Sequence, residues 1–280
     1  MTGVDQALIG WRPGVEKTFG SEPLRLGHRL HRSPLFTDAA LVRLIEGSSR
    51  EDYYVNTMDV GAHNVKSRRE GAFVDIAGAD VLEAVRKGQI WILLQNPDRV
   101  DPAYGEILEG VYRELAHSVP GFRPFRKKMT VLISSPNIQV YYHCDVPGQT
   151  LWQVRGNKTV YVYPNRPPYL ERAALERIVL GEAHEISLKY DAAFDRDAVV
   201  YDLQPGQMLH WPLNAPHRIV NAGCMNVSFT TEHWTDELRN VYAMNFANGI
   251  LRKTFGLKRL SRTTRGPAFA AKLALAGAVK

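Results

Sequence analysis

From Met129 to Trp234 the chain is divided into short runs rich in β-branched and aromatic residues: MTVLISS, IQVYYH, TLWQVR, KTVYVYP, AVVYDL, QMLHWP, HRIVN and MNVSFTTEHW. Such runs read as strands, because branched and ring side chains suit a pleated surface while Gly and Pro punctuate it. Many short strands in succession restrict the fold to a sandwich or a barrel of two sheets, the jelly roll being one form. One helix, from Pro168 to Leu180, interrupts the series. The fold class predicted is mainly β with flanking helices.

The first 124 residues have a different rhythm. Residues 1 to 34 are rich in Gly, Pro and Arg and read as extended surface chain. Thr37 has the side chain of an N-cap for a helix through Ile45 closed by Gly47, and Asp52 to Met58 reads as a strand. Ser67 to Gly71 reads as a polar loop, and Asp80 as the cap of a helix that Gly88 stops. Ile90 to Gln95 is apolar enough for a strand covered on both faces. Pro102 starts a third helix carrying Ile107, Leu108, Val111, Tyr112 and Leu115 at helical spacing. At 280 residues, one domain with additions is the economical arrangement. Residues 1–124 would pack on a core at 125–235, and 236–280 would form a basic helical extension, ordered to about Phe255.

Composition excludes several functions. Hydrophobic residues are 45% and charged residues 23%, as in ordinary globular proteins. No apolar run reaches the roughly 18 residues of a membrane span, and no export signal opens the chain, so a cytoplasmic protein is expected. Cys144 and Cys224 are too few for a disulfide framework and read as small apolar residues in a reducing compartment. The net charge of +6 hints at nucleic acid, but nine of the 35 basic residues and none of the 29 acidic ones follow Glu237. The body is therefore slightly acidic, and nucleic acid is not the expected partner. The tail, ending PAFAAKLALAGAVK, could instead pair two copies of the chain through its helices or touch an anionic membrane surface.

The chemistry concentrates in VYYHCDVPGQTLWQVRGNKTVYVYP, Val140 to Pro164, and PGQMLHWPLNAPHRIVN, Pro205 to Asn221. Residues two apart on a strand share a face, so His143 and Asp145 can enter a barrel together with Cys144 turned away. The pair is weakly specific alone. His217, opening a later strand, completes two imidazoles and a carboxylate, the donor set of a mononuclear iron site with open positions.

With these residues the chain resembles the iron(II) and 2-oxoglutarate-dependent oxygenases of the JmjC and cupin-like class, and within it the asparaginyl hydroxylases. The resemblance implies a double-stranded β-helix, that is, a cupin-like jelly roll. It also implies Fe(II), 2-oxoglutarate and O2 as cofactor and co-substrates, and hydroxylation of a protein side chain or a small metabolite. In that family His-x-Asp and a distant His hold the metal, which maps onto His143, Asp145 and His217. A lysine fifteen residues after the first ligand binds the far carboxylate of 2-oxoglutarate, and Lys158 stands there in the same Gly-x-Lys context. Gln149 and Ser228 occupy positions where relatives keep Asn side chains near the co-substrate. A family threonine is replaced by Val140, leaving its role to a neighbour such as Tyr142 or Tyr161. His210 stands at a tyrosine position and reads as structural, and Trp152, Trp211 and Trp234 as core.

Independently of the resemblance, Gly156 and Asn157 suit a two-residue hairpin turn pairing Arg155 with Lys158. That would put Leu151, Gln153, Val160 and Val162 on an interior face. An inward lysine is unfavourable unless it meets an anion, and a dicarboxylate is one. A non-catalytic, metal-containing cupin-like binding protein is the alternative.

Overall fold

The computed structural model describes residues 6–57, 69–73 and 76–278. Five strands come first: β1 (Leu8–Ile9), β2 (Leu24–His28), β3 (Tyr53–Thr57), β4 (Arg69–Gly71) and β5 (Ile90–Gln95). Eight follow: β6 (Phe125–Ser134), β7 (Gln139–His143), β8 (Gly148–Arg155), β9 (Lys158–Val162), β10 (Val199–Leu203), β11 (Gln207–His210), β12 (His217–Asn221) and β13 (Asn226–Trp234). The last eight form two four-stranded antiparallel layers, β11-β8-β13-β6 and β10-β9-β12-β7, the arrangement of a double-stranded β-helix. The first layer grows to nine strands, with β2 and β1 beyond β11 and β5, β3 and β4 beyond β6.

Alternation along the strands separates two environments. Met129, Val131 and Ile133 of β6, Trp152 and Val154 of β8, and Val227 and Phe229 of β13 face outward and are buried. There they join one large cluster with residues of α1 (Asp38–Gly47), α2 (Gly78–Lys87) and α3 (Pro102–Ser118). Between the layers lies a smaller cluster of Leu151, Val160, Val162, Leu209, Trp211 and Ile219. The helices therefore cover the outside of the large sheet, leaving the space between the layers for a site.

Several expectations are corrected. Leu24–His28 is not surface chain: it pairs with β11 and closes one flank of the sheet. Arg69–Gly71 is a strand paired with β3 rather than loop, and Met58, Ser67 and Arg68 lie outside the described residues. Ala77, not Asp80, is the cap position of α2, with Asp80 in its first turn where its charge favours the helix dipole. β5 buries Ile92 and Leu94 fully, but Trp91, Leu93 and Gln95 border a cavity instead of a second packed layer.

Gly156 and Asn157 do not close a hairpin, because β8 pairs with β11 and β13 while β9 pairs with β10 and β12. The turn is a corner where the chain leaves one sheet for the other. Gly156 sits at φ +71°, and a Cβ there would meet the Met225 carbonyl at 2.4 Å. The interior face survives this correction, since Leu151, Val160 and Val162 pack together.

Beyond the barrel, α4 (Arg172–Val179) is shorter than the predicted Pro168 to Leu180 helix. It packs on α5 (Asp236–Phe255), which Thr235 caps by accepting from Leu238 N at 3.3 Å. Order continues past Phe255: α6 (Pro267–Ala278) returns to α5 and buries Phe269 and Ala276. No described helix is long and apolar enough to cross a membrane.

Candidate metal centre

His143 ends β7 and His217 opens the neighbouring β12, directly opposite each other in the pairing. One residue of β12, Arg218, faces two of β7, Tyr141 and Tyr142, before the register resumes at Val140 and Ile219. This bulge re-aims the strand, so that Val140 and His143, three apart, both line the inner cavity. Asp145 is not on the strand, as expected from period two, but on the loop just past it. Asn214 holds that loop by donating to the Asp145 carbonyl at 2.7 Å, and Trp211 Nε1 donates to Asp145 Oδ2 at 3.3 Å.

The three side chains converge. Asp145 Oδ1 is 3.8 Å from His143 Nε2, and Oδ2 is 3.5 Å from His217 Nε2. One donor atom from each of the three lies within 4.8 Å of the others. His143 Nδ1 lies 2.7 Å from the Tyr141 carbonyl and His217 Nδ1 lies 3.1 Å from that of Ala215. Carbonyls only accept, so each Nδ1 carries its proton and each Nε2 is the atom that faces Asp145. Burial, with the neighbouring His143, holds the His217 pKa well below the imidazole range, so this ring is neutral. Burial raises the Asp145 carboxyl, opposed by His143, Trp211 and Gln149. Two imidazoles and a buried carboxylate converging on one point fit a divalent ion.

The cavity over the triad measures about 340 Å³. Gln149 lines it, and its Oε1 is buried without a partner among the described residues. Thr130, Glu185 and Glu232 also line it and were missed from sequence, while Trp211, read as core, both packs in the inner cluster and borders the cavity. Glu185 is pushed up to about 7 by burial and by Asp145 and Glu232, and burial also raises Glu232. Only the inward alternation of Thr130 and Glu232 within β runs could have flagged those two.

Lys158 and Ser228 lie one residue pair deeper in the barrel than Ile219 and Thr230, which line the cavity. Lys158 Nζ donates to Ser228 Oγ at 2.9 Å, and burial lowers the ammonium to about 7. Tyr142 is not brought to the site. Adjacent to the inward-facing His143, it points outward, where its hydroxyl donates to the Tyr169 carbonyl at 2.7 Å and its ring meets Tyr163 and Tyr190. Tyr161 is turned out as well, under the Arg218 guanidinium. His210 is buried, stacked on Phe19 at 4.1 Å, with Nδ1 2.7 Å from the Gln149 carbonyl, which is structural packing. Cys144 faces away from the cavity into an apolar cluster with Leu170 and Leu175.

Fold and donor set together define a jelly-roll protein whose barrel encloses a two-histidine, one-carboxylate cluster able to hold a metal ion. Solved structures with the same fold include those of the Escherichia coli protein YcfD. The X-ray structure of YcfD gives a TM-score of 0.58 at 15% identity, covering 98% of this chain and 68% of that one. YcfD described as a ribosomal oxygenase in complex with cobalt and 2-oxoglutarate gives 0.56 at 15%, covering 98% and 67%. Its complex with cobalt and succinic acid gives 0.53 at 16%, with the same coverage. No protein-family model and no curated protein matches the sequence.

Proposed function

We propose that the protein is an Fe(II)- and 2-oxoglutarate-dependent oxygenase that hydroxylates a protein side chain. The observation that carries this reading is the His143, Asp145 and His217 triad, converging inside a double-stranded β-helix with a buried lysine beneath it. When bound, iron with 2-oxoglutarate and O2 supplies the oxidising power for a C–H bond, with succinate and CO2 as co-products. The chain's own contribution is geometric. Backbone carbonyls fix both imidazoles, Trp211 and Asn214 fix Asp145, and the barrel wall limits water. Lys158 would pair with the distal carboxylate, with Ser228 and Gln149 as the neighbouring polar groups. Val140 contributes only an apolar wall. A protein substrate is supported by the solved neighbour described as a ribosomal oxygenase, which makes ribosomal proteins the first pool to test. Two free cysteines suit a reducing, cytoplasmic setting.

The test is succinate release from 2-oxoglutarate with Fe(II) and cell-extract proteins, together with intact-mass detection of one added oxygen atom. His143→Ala and Asp145→Ala should lose both bound metal and succinate. Lys158→Ala should keep the metal and raise the 2-oxoglutarate requirement by roughly 10- to 100-fold, the worth of a charge-assisted hydrogen bond. Unchanged turnover in the triad variants would refute the proposal. Metal binding without turnover on any protein pool would leave a cupin-like binding protein.

A further inference from the structure

The basic C-terminal stretch takes no part in the metal centre, yet it builds a site of its own. Between α4, α5 and residues 258–262 lies a cavity of about 300 Å³. Arg172, Arg252, Lys258, Arg259 and Arg262 line it, against a single acidic lining residue, Glu176. That carboxylate is buried and already committed: Arg252 grips it through Nε to Oε2 at 2.6 Å and Nη2 to Oε1 at 3.3 Å. The other four cationic side chains find no second carboxylate on the cavity wall. Lys272 of α6 donates to the Ser261 carbonyl and so holds the segment in place.

Two buried polar atoms here lack partners among the described residues, Arg262 Nη1 and Asn248 Oδ1. Asn248 is 1% exposed, and its Nδ2 is spent on the Ser261 carbonyl at 3.2 Å, so Oδ1 asks for a donor. A buried guanidinium N–H without an acceptor is unfavourable, and native proteins rarely leave one. A ligand that satisfies both atoms carries an oxyanion for the arginines and a hydroxyl for Asn248. Four unmatched positive groups suit a phosphate dianion better than a single carboxylate, and guanidinium forks match its oxygens. The volume is at the small end for ligand pockets, which favours a small molecule over a polymer.

We propose that this cavity binds the phosphoryl group of a small phosphorylated, hydroxyl-bearing ligand. The experiment is calorimetric titration of the full chain at low salt with inorganic phosphate and with glycerol 3-phosphate. A single-stranded RNA oligonucleotide and phosphatidylglycerol vesicles serve as comparison probes. Saturable binding of glycerol 3-phosphate is expected, weakened about tenfold by Arg262→Gln and by Arg172→Gln, and unchanged by Arg239→Gln outside the cavity. Should Arg262→Gln fail to fold, Arg172→Gln on the exposed rim decides. Absence of saturable binding overturns the proposal, as does equal affinity in the cavity variants. Binding of RNA or vesicles without binding of the small phosphate overturns it in favour of a diffuse polyanion surface.

Discussion

Lys158 carries its ammonium into the barrel, where burial lowers it from 10.5 to about 7. Its folded pKa thus lies below the unfolded value, so between pH 7 and 10.5 the unfolded chain holds more of this proton. Stability from this group rises with pH across that window and is flat below it. A dicarboxylate beside Lys158 would favour the charged form, so 2-oxoglutarate binding at pH 8 should take up a proton. Calorimetry in buffers of different ionisation enthalpy checks this, and Lys158→Met should abolish the uptake. If binding to the original chain at pH 8 releases or moves no proton, the lysine does not meet the carboxylate. His143, Asp145 and Lys158 were legible as candidates because they stand in the His-x-Asp and Gly-x-Lys pattern that carries the family resemblance. Glu185 was not, because it reaches the same cavity from a segment outside that pattern.

At the scale of elements, the corner between β8 and β9 decides the barrel. A hairpin and a sheet switch can use the same Gly-Asn pair, and local turn chemistry does not tell them apart. Gly156 is needed both for its positive φ and for its approach to the Met225 carbonyl. Gly156→Ala should therefore destabilise by at least about 2 kcal/mol in chemical denaturation. Gly156→Asn, which tolerates the left-handed region, should be nearly as harmful because its Cβ meets the same carbonyl. Recovery of stability in the Asn variant would assign the whole effect to φ. The β7 bulge is a second such decision: it brings Val140 inward, three residues from His143, which strict alternation along the strand could not foresee.

For the whole molecule, residues before 125 are structural members of the sheet. β5 pairs with β6 and β2 with β11, while α1 to α3 cover Trp152 and Phe229. Residues 125–280 alone would expose that outer face and two strand edges. A chain cut at 124 should fail to give a dispersed amide spectrum, and the intact chain should unfold in one transition by circular dichroism and tryptophan fluorescence alike. Two separated transitions would mean that the flanking strands are dispensable.

The sequence alone determined the strand-rich character of residues 125–235, most helices, and the His-x-Asp, His and Lys set. The strands and helices rest on periodicity and capping, which are local properties of a chain, and the candidate set on the family pattern that its residues resemble. Tertiary structure decided which sheet each strand joins, which tyrosines leave the site, which carboxylates enter it, and that the basic tail folds back to frame a cavity. Those outcomes depend on pairings between residues far apart in sequence, and burial and charge at each position follow only after the pairings are made.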